Sequence, residues 1–250
     1  MMTQFRRNAA HRLALVFALA GCAVPDQPLS PAEPVLEPGI AAHYAALTDG
    51  EIDVPSVPAK YLSERNIRRE VDYWTDERPG TVIVDPWQRF LYYILPENRA
   101  IRYGVAVGDE GRAFSGTAHI PYSRDWPSWR PTDNMIREFP DQYGPLRDGM
   151  AGGLNNPLGA RALYLHKGNR DTFYRIHGTS DMGSIGNATS AGCIRMFHQD
   201  VIELEGLMRS GARVVVLTEA ESGKGTVLPG APIPSNIPPT ATIPPEGGQP

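Results

Sequence analysis

Alternation of apolar and polar positions with a period of two runs through the middle of this chain and predicts most of its elements. Residues 81–84 (Thr-Val-Ile-Val) and 89–94 (Arg-Phe-Leu-Tyr-Tyr-Ile) are β-rich runs separated by Asp85-Pro86-Trp87-Gln88, a hairpin signature. Residues 100–107 give a third strand closed by the glycine turn of 108–111, and 115–121 extend the same sheet, which three strands in a row predict to be antiparallel. Residues 160–165 and 172–176 read as a second hairpin around the polar turn 167–171, with His177 at the rim of its second strand and Gly178 ending it. Residues 212–217 form an apolar final strand. Helical spacing is confined to three places. Tyr61, Ile67, Val71 and Trp74 predict a helical lead-in over 60–74. Residues 132–138 predict a short helix capped by Thr132 or Asp133, with Met135 and Ile136 turned inward. Val201, Ile202, Leu204 and Met208 give a buried face to a helix over 199–209, which Gly211 stops. Many strands, few helices and Gly/Pro-rich loops make a mainly β domain over residues 78–219.

Composition narrows the picture at the two ends. With 250 residues and 41% apolar side chains the chain holds one well-buried core plus extra segments. A net charge of −4, a pI near 5.9 and scattered Lys and Arg give no electrostatic case for nucleic acid. Arg6, Arg7 and Arg12 precede a short apolar run over 13–20, the layout of an export signal, and the run is too short to span a bilayer. It ends in Leu19-Ala20-Gly21-Cys22, which resembles the lipobox of bacterial lipoproteins. That resemblance implies a signal peptide over 1–21, cleavage before Cys22, and lipid on Cys22; an ordinary secretory signal is the alternative. Ala23 after the cysteine, by resemblance to enterobacterial lipoproteins, implies sorting to the outer membrane, so the expected location is the periplasm, lipid-anchored. Residues 22–77 then read as tether and lead-in, in which His43 and Tyr44 are surface residues. After residue 220 the pattern is lost and eight prolines fall between 229 and 250, predicting a disordered tail over 220–250.

Cysteine counting turns this into chemistry. The chain has two cysteines, and lipid on Cys22 leaves Cys193 as the sole thiol of the mature protein, with no disulfide to make. A lone cysteine is commonly a small buried hydrophobe, but here Ser190, Ala191 and Gly192 place it at a tight turn. An imidazole at a neighbouring loop end, His177, can take the thiol proton and ready the thiolate for acyl transfer. The small residues before Cys193 let the amides of Gly192 and Cys193 approach a tetrahedral intermediate as oxyanion donors. Arg195 is either a clamp for substrate carboxylates or an ordinary ion pair bracing the loop. Ser190 either hydrogen-bonds near the nucleophile or shapes its turn. Trp126 and Trp129, held by Pro127 and Pro131, either pack over the domain edge or wall a substrate site beside the long Gly/Asn/Pro loop over 143–158. His166 fits a hairpin turn, and His198 a capping or surface position at the last helix. A zinc site on Cys193 and His177 lacks a second cysteine or a close histidine pair, so neither metal nor cofactor is expected.

His177-Gly178 followed by Ser190-Ala191-Gly192-Cys193-Ile194-Arg195 closely resembles the signature of the YkuD family of L,D-transpeptidases. Val84-Asp85 with Gln88-Arg89, Tyr103-Gly104-Val105, Trp126-Pro127-Ser128-Trp129 and Asn156-Pro157-Leu158-Gly159-Ala160-Arg161 are similar too, and together they span most of the domain. The resemblance implies an L,D-transpeptidase-like β-sandwich or barrel with a few short helices. It implies a peptidoglycan tetrapeptide stem as acyl donor, attacked at its third-residue carbonyl by Cys193 with His177 as base and loss of D-alanine. The acceptor would be a diaminopimelate amine (3-3 cross-link), a protein lysine (anchoring) or water (carboxypeptidase side activity). It also implies that the backbone carbonyl of Gly178 orients the histidine. Some members carry Ser-His-Gly-Cys where this chain has Ala191, so any role of that second histidine is missing here. The competing reading is a non-catalytic peptidoglycan-binding lipoprotein that tethers the outer membrane, with Cys193 buried and inert.

Overall fold

The structure, a computed structural model, describes residues 36–108, 114–189 and 193–233. All of them fall in one compact unit, Glu33–Pro250. The export signal, Cys22, and the turn residues Ser190, Ala191 and Gly192 lie outside the described residues, as does the tail beyond 233. Among the described residues no helix is long and apolar enough to cross a membrane.

The two sequence hairpins form as predicted. Strand β4 (Val82–Asp85) pairs antiparallel with β5 (Phe90–Leu95), which pairs with β6 (Arg99–Gly104). Strands β10 (Arg161–Lys167) and β11 (Arg170–Gly178) make the second hairpin, with a register shift near Tyr164 and Phe173 at φ +63°. Around them lie β7 (Ala106–Gly108), β8 (Gly116–Ile120), β9 (Ser123–Asp125), β12 (Ala188–Thr189), β13 (Ile194–Met196) and β14 (Ala212–Val216). With the edge strand β3 (Arg69–Asp72) these form one mixed sheet in the order β12-β7-β13-β11-β10-β8-β14-β4-β5-β6-β3, with β9 on β10. The sheet is not purely antiparallel: β14 runs parallel to β4, β13 to β11, and β12 to β7. A small separate hairpin joins β1 (Leu47–Asp49) to β2 (Ile52–Val54).

Period two explains the core. Val82 and Val84, Leu163 and Leu165, Ile194 and Met196, Val214 and Val216 face one apolar interior from different strands, so the sheet wraps around it. Helices α1 (Pro38–His43), α2 (Asp133–Glu138) and α3 (Pro140–Tyr143) are short, while α4 (His198–Leu207) sends Val201 and Leu204 into that interior. Thr132 caps α2 by accepting from Met135 N at 3.2 Å, and Met135 and Ile136 are half-buried. Helix α4 ends at Leu207, with Met208 already extended, rather than at Gly211, whose φ of +81° instead turns the chain into β14.

Three expectations are corrected. Residues 60–74 are not a helix: a 3-10 turn over Ala59–Tyr61 leads to β3, because the open edge of β6 offers a full antiparallel ladder from Arg69↔Arg102 to Asp72↔Arg99. Residues 36–58, expected as a tether, instead pack on the domain. Tyr44 is 1% exposed, donates to Asp200 at 3.4 Å, accepts from Arg68 N at 2.6 Å, and sits with Val57, Leu62, Ile67 and Phe197; His43 Nε2 meets Asp200 at 2.8 Å. Residues 220–233 do not begin a disordered tail. Ser222 Oγ and Gly223 N donate to Asp85 at 2.9 and 2.8 Å, and Trp74 N donates to Gly225 O at 2.8 Å.

Candidate active site

The parallel pairing of β11 with β13 brings the sequence-distant chemistry together. Its register is Ile176↔Ile194, His177↔Arg195 and Gly178↔Met196, so Cys193 stands one residue before the first pair, on the strand beside His177. Parallel partners point their side chains to the same face, and residues two apart share it. Ile176 and Ile194 therefore turn into the core, while His177 and Arg195 share the opposite face. Cys193 is half-buried.

His177 is only 4% exposed, and its Nδ1 lies 2.7 Å from the carbonyl oxygen of Gly178. A carbonyl can only accept, so Nδ1 carries the proton and Nε2 is left with its lone pair. Burial pushes the imidazole down to about 4, against the pull of the Gly178 carbonyl and with help from the positive charges of Arg195 and Arg175. The ring is therefore neutral at pH 7 and able to accept a proton.

Gly178 must be glycine. A Cβ there would come within 2.6 Å of His198 Nδ1 and 3.0 Å of Ala160 N. His198 is the residue that sequence reasoning placed wrongly, since it is buried at 1% rather than at the surface. The local reason is that α4 starts on the inner side of the β11 end, so the ring fills the space beneath Gly159 and Gly178. Its Nδ1 accepts from Ala160 N at 3.3 Å, its Nε2 is 3.1 Å from Ser180 Oγ, and burial pushes it down to about 4 as well. His166 is likewise not in a turn but in β10, paired with His119 of β8.

The tryptophan loop stands behind this corner. Trp126, at φ +40°, lies 5.8 Å from the His198 ring, donates its indole N–H to Asp49 at 2.9 Å, and its backbone N–H to Ala160 O at 2.9 Å. Asp49 also accepts from Arg161 at 2.9 Å, and Arg161, 8% exposed, is shared with Glu205. Asp49 is held below the usual carboxylate range, chiefly by its hydrogen bond with Arg161. The β1–β2 hairpin is thus bolted to the tryptophan loop, a link with no signal in the sequence because both ends are single polar residues far apart. Trp129 makes a bridge with Met150 and packs 6.1 Å from Tyr143, so the 143–158 loop and the tryptophan loop form one flap. Asn156 shapes it by donating to Ala151 O at 3.0 Å and accepting from Leu158 N at 2.9 Å. Arg195 meets Asp181 at 3.4 Å.

Among the described residues no group of three His, Cys, Asp or Glu side chains gathers as metal ligands. A surface cleft of about 820 Å³, lined by Asp76, Glu77, Tyr93 and Arg213 among others, contains neither Cys193 nor His177.

The mixed sheet thus brings a half-buried cysteine and a carbonyl-oriented, neutral histidine to the ends of two neighbouring parallel strands. Residues 79–216 match the model of the L,D-transpeptidase catalytic domain, and the chain belongs to that family, YkuD. It is 48% identical over 49% of its length to a Bacillus subtilis relative bearing the provisional name L,D-transpeptidase YkuD, 70% of which is covered. It is 33% identical over 54% of its length to a Fuscovulum blasticum relative named as an L,D-transpeptidase, with 68% of that chain covered. The chain spans under half of the Escherichia coli L,D-transpeptidase relatives, 44% and 45% of their length. A crystal structure from Brucella melitensis, described as a probable carnitine operon oxidoreductase, is 45% identical over 63% of this chain and 98% of its own, with TM-score 0.44.

Proposed function

We propose that this protein is a cysteine L,D-transpeptidase of peptidoglycan in which Cys193 is the nucleophile and His177 the base. The observation that carries the proposal is the His177 ring, whose Nδ1–H is committed to the Gly178 carbonyl at 2.7 Å and whose Nε2 is left to accept a proton on the face shared with Arg195. The thiol proton passes to Nε2 as sulfur bonds to the third-residue carbonyl carbon of a tetrapeptide stem. The amides of Gly192 and Cys193 hold the oxyanion. On collapse the C–N bond breaks, His177 returns the proton to the leaving amine, and D-alanine departs, leaving a thioester. An incoming amine, or water, gives up its proton to His177, attacks the thioester and releases the thiol. A diaminopimelate amine gives a 3-3 cross-link, a protein lysine an anchored protein, and water a tripeptide.

Burial of His177 supports a neutral thiol–imidazole pair that transfers its proton on attack rather than a standing ion pair. Trp126, Trp129 and the 143–158 flap are the substrate wall in this reading. Arg195, already engaged by Asp181, orients that acid before it serves any substrate carboxylate. Lipid on Cys22 would hold the enzyme in the periplasm at the outer membrane. A wall-binding protein without catalysis would have no use for a histidine held in one tautomer.

Incubation of the full chain with purified tetrapeptide muropeptides, followed by chromatography, is expected to yield cross-linked dimers or tripeptides plus D-alanine. Cys193→Ala is expected to abolish them while leaving the circular dichroism unchanged. Undiminished D-alanine release by that variant refutes the proposal, and rapid stoichiometric thiol labelling of the folded protein separates it from an inert, buried cysteine.

A further inference from the structure

The sheet face that carries His177 continues beyond it. His177 pairs with Arg195 on one side and Ala162 on the other, and Ala162 pairs in turn with Arg124 of β9. The next row holds Arg175 against Tyr164, and Tyr122 joins it. Tyr164 N donates to Tyr122 O at 3.3 Å, and the two rings stack with centroids 4.6 Å apart. Leu163 and Ile176, between these rows, point the other way into the core.

Three arginines stand in the two rows, and their circumstances differ. Arg195 meets Asp181 at 3.4 Å, and Arg175 makes a two-pronged pair with Asp171, 2.7 Å on each prong. Arg124 is exposed and lies 5.8 and 5.7 Å from the ring centroids of Tyr122 and Tyr164, with no carboxylate partner among the described residues. The neighbouring Asp125 is turned to the other face, 3.3 Å from Arg161 Nε. A guanidinium held over two aromatic rings is already ordered, and its planar fork matches a carboxylate.

We propose that Arg124, seated on the Tyr122–Tyr164 pair, is a subsite for a carboxylate of the acyl-donor stem. This rests on the reading of Cys193 and His177 as the acyl-transfer pair. Arg124 stands two strands from His177 and three from the strand that Cys193 leads into, about 10 and 14 Å at the usual interstrand spacing of ~4.8 Å, a gap that its own long side chain shortens. An extended peptide advances ~3.3 Å per residue, so an acidic group on the second residue or at the end of the third side chain falls within reach when the third carbonyl is at sulfur. Charge complementarity selects the occupant: two of the three cations in these rows are already balanced by acids, and the third faces solvent.

The experiment uses the full chain and three synthetic tetrapeptide stems: one with all carboxylates ionised, one amidated at the second residue, and one amidated at the third side chain. D-alanine release is measured for the unmodified chain, Arg124→Gln and Arg124→Lys. Binding of the same stems is measured by calorimetry to Cys193→Ala with and without Arg124→Gln. The expected result is that Arg124→Gln raises KM and Kd about tenfold for the fully ionised stem, the scale of one charge-assisted hydrogen bond, with kcat within twofold. Arg124→Lys is expected to recover part of the loss, and one of the two amidated stems to erase the difference, which identifies the carboxylate. Equal KM and Kd for Arg124→Gln and its parent on the ionised stem, or an equal loss on all three stems, overturns the subsite. If the unmodified chain releases no D-alanine from any stem, the proposed reaction fails, while the calorimetric comparison still decides the role of Arg124.

Discussion

Acidification is expected to destabilise this fold through two buried histidines. Both His177 and His198 are pushed down to about 4 by burial, against 6.5 in an unfolded chain. Between those values the unfolded chain binds protons that the native chain refuses, so stability falls as pH falls through the window from 6.5 to 4 and levels off below it. At about 1.4 kcal/mol per pH unit, each ring forfeits roughly 2.5 kcal/mol by pH 4.5, or about 5 kcal/mol together, a large part of the 5–15 kcal/mol typical of a domain. Asp200, raised by burial, acts in the opposite sense as it takes up its proton, whereas Asp49 and Asp171, held low by Arg161 and Arg175, act only below the window. Urea midpoints at pH 7.5, 6.5, 5.5 and 4.5 read the effect directly. The slope should be steepest near pH 5, and His198→Asn, which keeps a polar side chain but does not titrate, should lose about half of it. A stability that is flat between pH 6.5 and 4.5, or a slope unchanged by His198→Asn, refutes the reasoning.

If His177 is the base, as proposed, the same burial would set activity: the acidic limb of kcat/KM is expected near pH 4 rather than 6.5, because the imidazole accepts a proton only when neutral, and a limb at 6.5 would contradict a desolvated ring. Gly178→Ala is expected to cost about 1–3 kcal/mol through overpacking against His198 and Ala160, and to lower kcat by displacing the carbonyl that orients His177; thermal melts and turnover check the pair. Arg161→Met leaves Asp49 and Glu205 without their shared cation and should cost about 3–5 kcal/mol, with limited proteolysis cutting first in residues 36–58. Asp85→Ala removes the acceptor of Trp87 N, Gln88 N, Ser222 Oγ and Gly223 N, and hydrogen exchange should then show residues 218–233 opening ahead of the sheet.

What the sequence made legible is what local patterning controls. The hairpins β4–β5 and β10–β11 followed from alternation and turn chemistry, and α2 from its Thr132 cap, whereas α4 ends at Leu207 with Met208 extended, short of the stop expected at Gly211. Cys193 and His177 were legible as candidates because a lone thiol and a strand-end imidazole stand out in the sequence wherever they fall. Long-range pairing was not legible. The parallel partnership of β11 with β13 joins segments with no shared pattern, and the strand at 69–72 was mistaken for helix because Ile67 and Val71, four residues apart, fit both periods. Tyr44 and His198 were misplaced for a related reason. Each is an amphipathic ring whose burial depends on what packs over it, Phe197 and Asp200 for Tyr44 and the glycines at 159 and 178 for His198. Their neighbours in sequence say nothing of either.

The position of β14 carries a consequence for how the molecule comes into being. This strand sits between β8 and β4, paired with β8 from Ala212 to Val216 and with β4 from Val214 to Val216, yet it is nearly the last piece of the sheet to be synthesised. Until residue 216 is available, β3 to β6 and the strands from β8 to β7 are two half-sheets with exposed edges and no ladder between them. The sheet therefore closes only once that strand slots in between its two neighbours. A truncation before residue 212 would leave Cys193 and His177 in sequence but deprive them of a finished scaffold.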